Sequence, residues 1–242
     1  MLSKLIYPGD KVELRAVERL REDGSEEDKK VYYSQVYDVL SADRMEIIMP
    51  MEKTKLILLP VDSVYDVILY AQGALYQCFA RIIDRYKSNN VYILVLELTS
   101  NLRKYQRREY YRFSCALDMC ARPLVEEEMK AIEQRESNFL TPGLPLKRSV
   151  IVDISGGGLR FIADHEYEKN SLIYCTYQLL VDGKNKECSL VGKILSVKPV
   201  ENKRGAYEHR VQYVDIEVDK REEIIRYIFQ EERKNRKKES GL

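Results

Sequence analysis

The chain has 242 residues and a mass of 28.4 kDa, enough at roughly 100–200 residues per domain for one large domain or two small ones. Hydrophobic residues make up 45% and charged residues 33%, which excludes a disordered chain. Forty Lys and Arg against 39 Asp and Glu leave a net charge of +1, so no chain-wide positive field exists for nucleic acid or an anionic membrane; an anion site has to be a local cluster.

Most of the sequence has a period of two. Lys11–Ala16 alternates after a Pro8-Gly9-Asp10 turn, as a half-buried strand does. Arg19–Lys30 is charged and contains Gly24, and reads as a loop. Strands are expected at Tyr32–Val39, at Arg44–Met49 up to Pro50, and at Thr54–Leu59 up to Pro60. Val64–Tyr70 and Ala74–Ile83 flank Gln72-Gly73, a hairpin turn, and Val91–Leu98 follows an Asn89-Asn90 turn. Short strands at roughly ten-residue spacing predict a small barrel or sandwich.

Thr99–Arg112 (TSNLRKYQRREYYR) is basic with little periodicity and reads as a linker. The expected domains are 1–104 and 105–242, with 105–112 as the entrance to the second. There Phe113–Cys120, Ser149–Ile154, Leu159–Ala163, Leu172–Val181, Lys186–Val197 and His209–Ile216 are strand candidates, with Asp182-Gly183 as a turn. Glu126–Glu136 is a short helix or a loop, and Pro142-Gly143-Leu144-Pro145 is a break. Two blocks of short strands predict a mainly β chain of two small β-barrels. From Lys220, Ile224, Ile225, Ile228 and Phe229 recur at helical spacing, so a C-terminal α-helix is expected over about 220–238. Its basic end, Arg233–Lys238, complements the helix dipole; contact with an acidic partner is the alternative.

Two histidines, His165 and His209, exclude a three-histidine metal site and an HExxH helix. Cys78, Cys115, Cys120, Cys175 and Cys188 form no CxxC pair, and suit a reducing compartment as small core hydrophobes. Cys115 and Cys120 fall on opposite faces of a strand unless a bulge intervenes. Met1–Asp10 lacks the apolar stretch of a signal peptide, and the longest apolar run, Val91–Leu96, falls far short of the roughly 18 residues that span a bilayer. The expectation is a cytoplasmic protein without membrane insertion.

Two segments can carry chemistry. Arg108-x-x-x-Arg112 is worthless alone, since roughly one or two such spacings arise by chance in so Arg-rich a chain. Asp153-Ile154-Ser155-Gly156-Gly157-Gly158 is rarer: an Asp-x-Ser-x-x-Gly match has a chance expectation on the order of a few hundredths. Its plain reading is a Gly-rich turn between strands, with Asp153 and Ser155 bonding local backbone.

The pair, in this order, resembles the PilZ domain, whose ligand is cyclic di-GMP. Arg108 and Arg112 match that family's RxxxR, and Asp153, Ser155 and Gly158 its (D/N)xSxxG. The segment before it, with Gln106-Arg107-Arg108 at the junction, is similar to the N-terminal domain of YcgR-type flagellar brake proteins. The resemblance implies a six-stranded PilZ barrel with a C-terminal helix, a cyclic di-GMP effector, no cofactor, and a flagellar stator or rotor protein as partner. It implies ligand contacts from Arg107, Arg108, Arg112, Asp153, Ser155, Gly157 and Gly158, with Gln106 and Arg210 as secondary candidates. Arg107, just before RxxxR, goes in this family with an intercalated ligand dimer, hence two ligands per chain. The ligand would reset the arrangement of the domains.

The residue types suit the ligand. Arginine forks match phosphate, and match guanine O6/N7 as a bidentate pair. An ionised Asp accepts from guanine N1–H and N2–H. A Ser hydroxyl donates to phosphate oxygen, and glycines let the backbone approach a flat base. One departure stands out. Where the family commonly has Gly late in the barrel, Tyr207–Tyr213 (YEHRVQY) places Arg210, which adds a contact or crowds the site.

No nucleophile–base pair, Walker loop or paired-acid motif supports an enzyme, so no catalytic residue and no metal is expected. A ligand-independent PilZ-fold adaptor is the alternative function. A nucleic-acid binder acting through Arg233–Lys238 is disfavoured by the near-zero net charge.

Overall fold

A computed structural model describes residues 2–17, 30–134, 140–201 and 203–239; the expected loop at Arg19–Lys30 falls outside them up to its last residue. The chain divides into two compact units, Met1–Arg107 and Arg108–Leu242.

The first unit opens with a 3-10 turn, Leu2–Lys4, followed by β1 (Lys11–Ala16), β2 (Val31–Val39), β3 (Arg44–Ile48), β4 (Met51–Glu52), β5 (Lys55–Leu56), β6 (Val64–Ala71), β7 (Ala74–Ser88), β8 (Val91–Leu98) and β9 (Arg103–Lys104). Its main sheet runs β6-β1-β2-β3-β8-β7-β9, and β6 also pairs with β7, so six antiparallel strands close a ring. Alternation puts Leu14, Met45, Ile47, Val67, Leu69, Ile82, Leu94 and Leu96 inside, all essentially inaccessible. The expected strand at Thr54–Leu59 shrinks to β5, which pairs only with β4 in a separate hairpin. Pro50 and Pro60 donate no ladder hydrogen bond, and Lys53 turns the chain at φ 55°.

The second unit comprises β10 (Arg112–Pro123), α1 (Glu126–Glu133), β11 (Lys147–Ser155), β12 (Gly158–Ala163), β13 (Leu172–Val181), β14 (Lys184–Pro199), β15 (Tyr207–Val214) and α2 (Val218–Glu239). Its six strands form a closed barrel in the order β10-β11-β12-β15-β14-β13. Phe161, Ile151, Ile154, Ile173, Leu179 and Ile194 fill it. α2 adds Ile224, Tyr227 and Ile228 to that core, Tyr227 meeting Phe113 edge to face at 6.3 Å. The apolar stripe is narrower than expected: Ile225 is half-buried and Phe229 is 63% exposed, because only positions three and four apart from Ile224 face the barrel. The ambiguous stretch after Pro123 is the helix α1. Its Glu128 is buried, and accepts both guanidinium arms of Arg122 (2.7 and 2.6 Å) and the backbone N–H of Val125 and Thr141. These bonds, Arg122 foremost, hold its carboxyl at about 2.

The hairpin turns follow their residues. Gln72-Gly73, Asn89-Asn90 and Asp182-Gly183 all have positive φ at both positions, as two-residue turns with the twist of the flanking strands require. All five cysteines are free thiols; Cys78, Cys175 and Cys188 are buried.

Candidate functional site

The motif residues meet through strand register. Arg112, the first residue of β10, lies directly opposite Ser155 on β11, and Ser155 lies opposite Gly158 on β12. Gly158 in turn faces Gln212 on β15. Arg112 is thus a barrel residue rather than the end of a linker. The neighbouring row contains Ser114, Asp153, Arg160 and Arg210, paired in that order across β10, β11, β12 and β15.

Asp153 faces outward because of a bulge. The pairing of β11 with β12 shifts between Ile151 and Asp153, so Val152 is the extra residue. One extra residue reverses the alternation: Ile151 and Ile154 both point inward, and Asp153 between them is turned to the outer surface. There its Oδ2 accepts from Nε of Arg160 at 2.9 Å, while Nη1 of Arg160 donates to Glu208 at 2.9 Å. Arg210 approaches the same Glu208, at 3.6 Å, with a half-exposed side chain. Four charged groups of alternating sign therefore form a ladder across three strands. The sequence alone does not single out Arg160 and Glu208, although Arg160 is where a two-residue hairpin would place a partner for Asp153.

Around the turn, the Ser155 hydroxyl donates to the carbonyl of Gly158 at 2.9 Å. Its proton is committed within the hairpin, in keeping with the plain turn reading, and in this structure it is not aimed at a phosphate. None of Gly156, Gly157 and Gly158 has a left-handed φ, so their need for glycine is steric. A Cβ on Gly158 would lie 2.1 Å from the carbonyl oxygen of Val211, which makes this residue a close-packing point between β12 and β15. Cβ atoms on Gly156 and Gly157 would lie 2.6 Å from Cδ1 and 3.0 Å from Cδ2 of Tyr110. The flat group on the glycine turn is thus a tyrosine ring. Arg221 of α2 donates to the Tyr110 hydroxyl, and its guanidinium carbon is 5.3 Å from the ring centre. Next to it, the Tyr111 hydroxyl donates to Glu232 of α2 at 3.2 Å.

The other arginines differ in placement. Arg108 and Arg112 are exposed in the second unit, as Gln106 is in the first. Arg107 belongs to the first unit, where Nη1 donates to the Tyr70 hydroxyl at 2.8 Å and lies 3.6 Å from Glu13.

Groups suited to covalent chemistry are muted. Burial pushes the thiols of Cys78 and Cys175 up to about 12 and those of Cys115 and Cys188 to about 11, so thiolate is scarce at neutral pH. Cys115 points inward with Phe113, and Cys120 lies on the opposite face of β10, despite a shift in pairing between Ser114 and Leu117. Among the described residues no group of three or more His, Cys, Asp or Glu could hold a metal ion. No described helix is long and apolar enough to cross a membrane.

Comparison with known proteins gives two family matches that tile the chain. The model of the PilZ domain matches residues 106–230, and that of flagellar protein YcgR matches residues 7–98. Among solved structures, the inhibitor of motility MotI/DgrA of Bacillus subtilis is 16% identical with a TM-score of 0.71, over 96% of this chain and 100% of its own. YcgR of Escherichia coli, in complex with c-di-GMP, is 14% identical with a TM-score of 0.46, over 96% and 88%. No curated protein matches the chain significantly. At 16% identity the first of these likenesses speaks for the fold alone.

Proposed function

The chain belongs to the PilZ domain family, and we propose that it is a receptor for cyclic di-GMP that controls a protein partner, with motility as the output. The observation that supports this reading is the register that sets Arg112 opposite Ser155 and Ser155 opposite Gly158, so that the second arginine of RxxxR and the DxSxxG segment share one edge of one barrel. Arg112 at that edge and Arg108, four residues earlier, are both exposed and supply cationic forks for a phosphate and for a guanine edge. Asp153, turned outward by the bulge, supplies the acceptor for guanine N–H groups. Gly157 and Gly158 leave the turn without side chains, and Ser155 fixes its shape. Arg107 and Gln106 join from the approach to the barrel, and Arg210 borders the ladder. We assign two ligands per chain, as an intercalated pair, on account of Arg107.

Binding draws residues 106–108 toward the barrel edge where Arg112 already stands, because the ligand contacts exist only when those arginines and Asp153 converge. The domain arrangement changes as a result, and a new surface is offered to a flagellar stator or rotor protein. The motility output draws on the YcgR match over residues 7–98. Nucleotide is bound without turnover. The site acts in the cytoplasm, where the second messenger is made.

Calorimetry with cyclic di-GMP tests the assignment. The parent is expected to bind with two ligands per chain, and Arg112→Ala or Asp153→Ala to reduce affinity at least about a hundredfold with the fold intact by circular dichroism. Parent-like binding by both variants would remove these residues from the site, and saturation at one ligand would remove the dimer.

A further inference from the structure

Tyr110 and Arg221 are not part of the motif, yet they occupy the centre of the site. The Tyr110 ring spans the Gly156-Gly157 turn, its δ1 side over Gly156 and its δ2 side over Gly157, so close that neither position has room for a methyl group without displacing the ring. Its far end carries an oxygen bonded to the Arg221 guanidinium. A Cβ on Gly156 would also lie 3.2 Å from Cδ1 of Ile225, so α2 borders the same glycine turn.

These are the features by which a protein holds a guanine. The base is a flat ring with an oxygen, O6, on its edge, and a glycine turn with an arginine at its rim receives both parts. We propose that Tyr110 holds the place of a guanine base in the unliganded chain, and that Arg221 on α2 is a further nucleotide-reading residue that passes from the tyrosine hydroxyl to the O6/N7 edge of the incoming base. This rests on the receptor reading and adds a further element, the C-terminal helix, to the site.

Tyr110 therefore competes with the ligand, so its removal strengthens binding. Arg221 contributes to affinity directly, and does so for guanine, because adenine offers a donor at the position of O6 where the guanidinium needs an acceptor. When Tyr110 leaves, its neighbour Tyr111 is drawn from Glu232, and residues 110–111 are freed from α2.

The experiment is calorimetric titration of the full chain with cyclic di-GMP and, as a probe of base identity, cyclic di-AMP. Tyr110→Ala is expected to bind cyclic di-GMP about tenfold tighter than the parent, and Tyr110→Phe, which keeps the ring and loses the bond to Arg221, about two- to threefold tighter. Adding Arg221→Gln to Tyr110→Ala is expected to weaken cyclic di-GMP binding about tenfold and leave cyclic di-AMP binding unchanged. If the parent binds and neither Tyr110 variant binds more tightly, the ring is not a placeholder. If Arg221→Gln has no effect in the Tyr110→Ala background, or weakens both nucleotides equally, Arg221 does not read the base. If neither the parent nor any variant binds cyclic di-GMP, the receptor reading itself has failed, an outcome distinct from the other two. Tyr110→Phe keeps the test decisive should the alanine variant fold poorly.

Discussion

Glu13 in the first ring and Asp153 in the second are both carboxylates held by arginine, in very different surroundings. Glu13 lies on β1, which pairs with β2 and β6 in unbroken register. Its side chain is 8% exposed and is taken up by Arg15 at 3.1 Å, by the Tyr70 hydroxyl and by Arg107. Asp153 follows a bulge, is 17% exposed, and is matched to one arginine that it shares with Glu208. A regular ladder buries its acid and saturates it with partners. An irregular one turns its acid outward beside a glycine hairpin, where partners can be exchanged. Within one architecture, one extra residue in a strand separates a buried, fully partnered carboxylate from an outward-facing one, the one proposed to meet the ligand.

The sharpest way to break this comparison is at the glycines. Gly158 packs against the Val211 carbonyl, so Gly158→Ala must open the pairing of β12 with β15; a loss of about 3 kcal/mol or more is expected. Gly73, in the hairpin between β6 and β7, has φ 72°, and no atom lies within 4 Å of where a methyl group would stand. Gly73→Ala therefore costs only the left-handed backbone penalty, about 1–2 kcal/mol. Urea denaturation followed by hydrogen exchange in each half reads both. Equal losses would mean that the glycine turn of the second ring is no more constrained than an ordinary hairpin.

Acid separates the halves next. Both histidines lie in the second unit, and His209 is fully buried, stacked on Phe161 at 4.6 Å, with Nε2 accepting the backbone N–H of Tyr167 at 3.0 Å. Burial, helped by His165, lowers it to about 4 from 6.5. The unfolded chain therefore takes up the proton first. Stability is full above about pH 6.5 and falls as the pH drops toward 4, by at most about 1.4 kcal/mol per unit. The depressed Glu128 adds a second loss, between about 4.5 and 2, in the same unit. Exchange protection in residues 113–214 is expected to decay between about pH 6 and 4.5 ahead of that in residues 11–98. The reverse order would place the acid-sensitive group in the first ring.

Much of this was legible in the sequence, and the parts that were not share a physical cause. β1, β8 and β13 begin and end where alternation and the turn residues put them, and the second ring has the six strands expected. Arg112, Ser155 and Gly158 lie on adjacent strands. The outward turn of Asp153 was hidden because the bulge at Val152 shifts parity by one residue and no local pattern announces a bulge, and Glu208 was hidden because it reaches Arg160 only through the long-range pairing of β12 with β15. Arg221 was hidden because its partner, Tyr110, is more than a hundred residues earlier and is brought to it only by α2 packing on the barrel. Phe229 escapes the stripe for a related reason: helical spacing names a stripe, and the curvature of the barrel decides how wide a stripe it covers.

The smallest effect to look for is the cost of neutralising each carboxylate in place. Glu13→Gln keeps the shape but puts an amide against Arg15, Arg107 and the Tyr70 hydroxyl in a nearly closed site, and a loss of about 1–3 kcal/mol is expected. Asp153→Asn leaves Arg160 paired with Glu208 in a partly solvated ladder, so less than about 1 kcal/mol should be lost. Denaturant midpoints measured at low and high salt read the difference. A half-solvated ladder, as proposed for ligand binding, should contribute little to the fold and depend on salt, whereas a saturated buried acid should do the opposite. If Asp153→Asn proved the more destabilising of the two, the outward ladder would be part of the barrel's framework, and its arginine would not be at liberty to change partners.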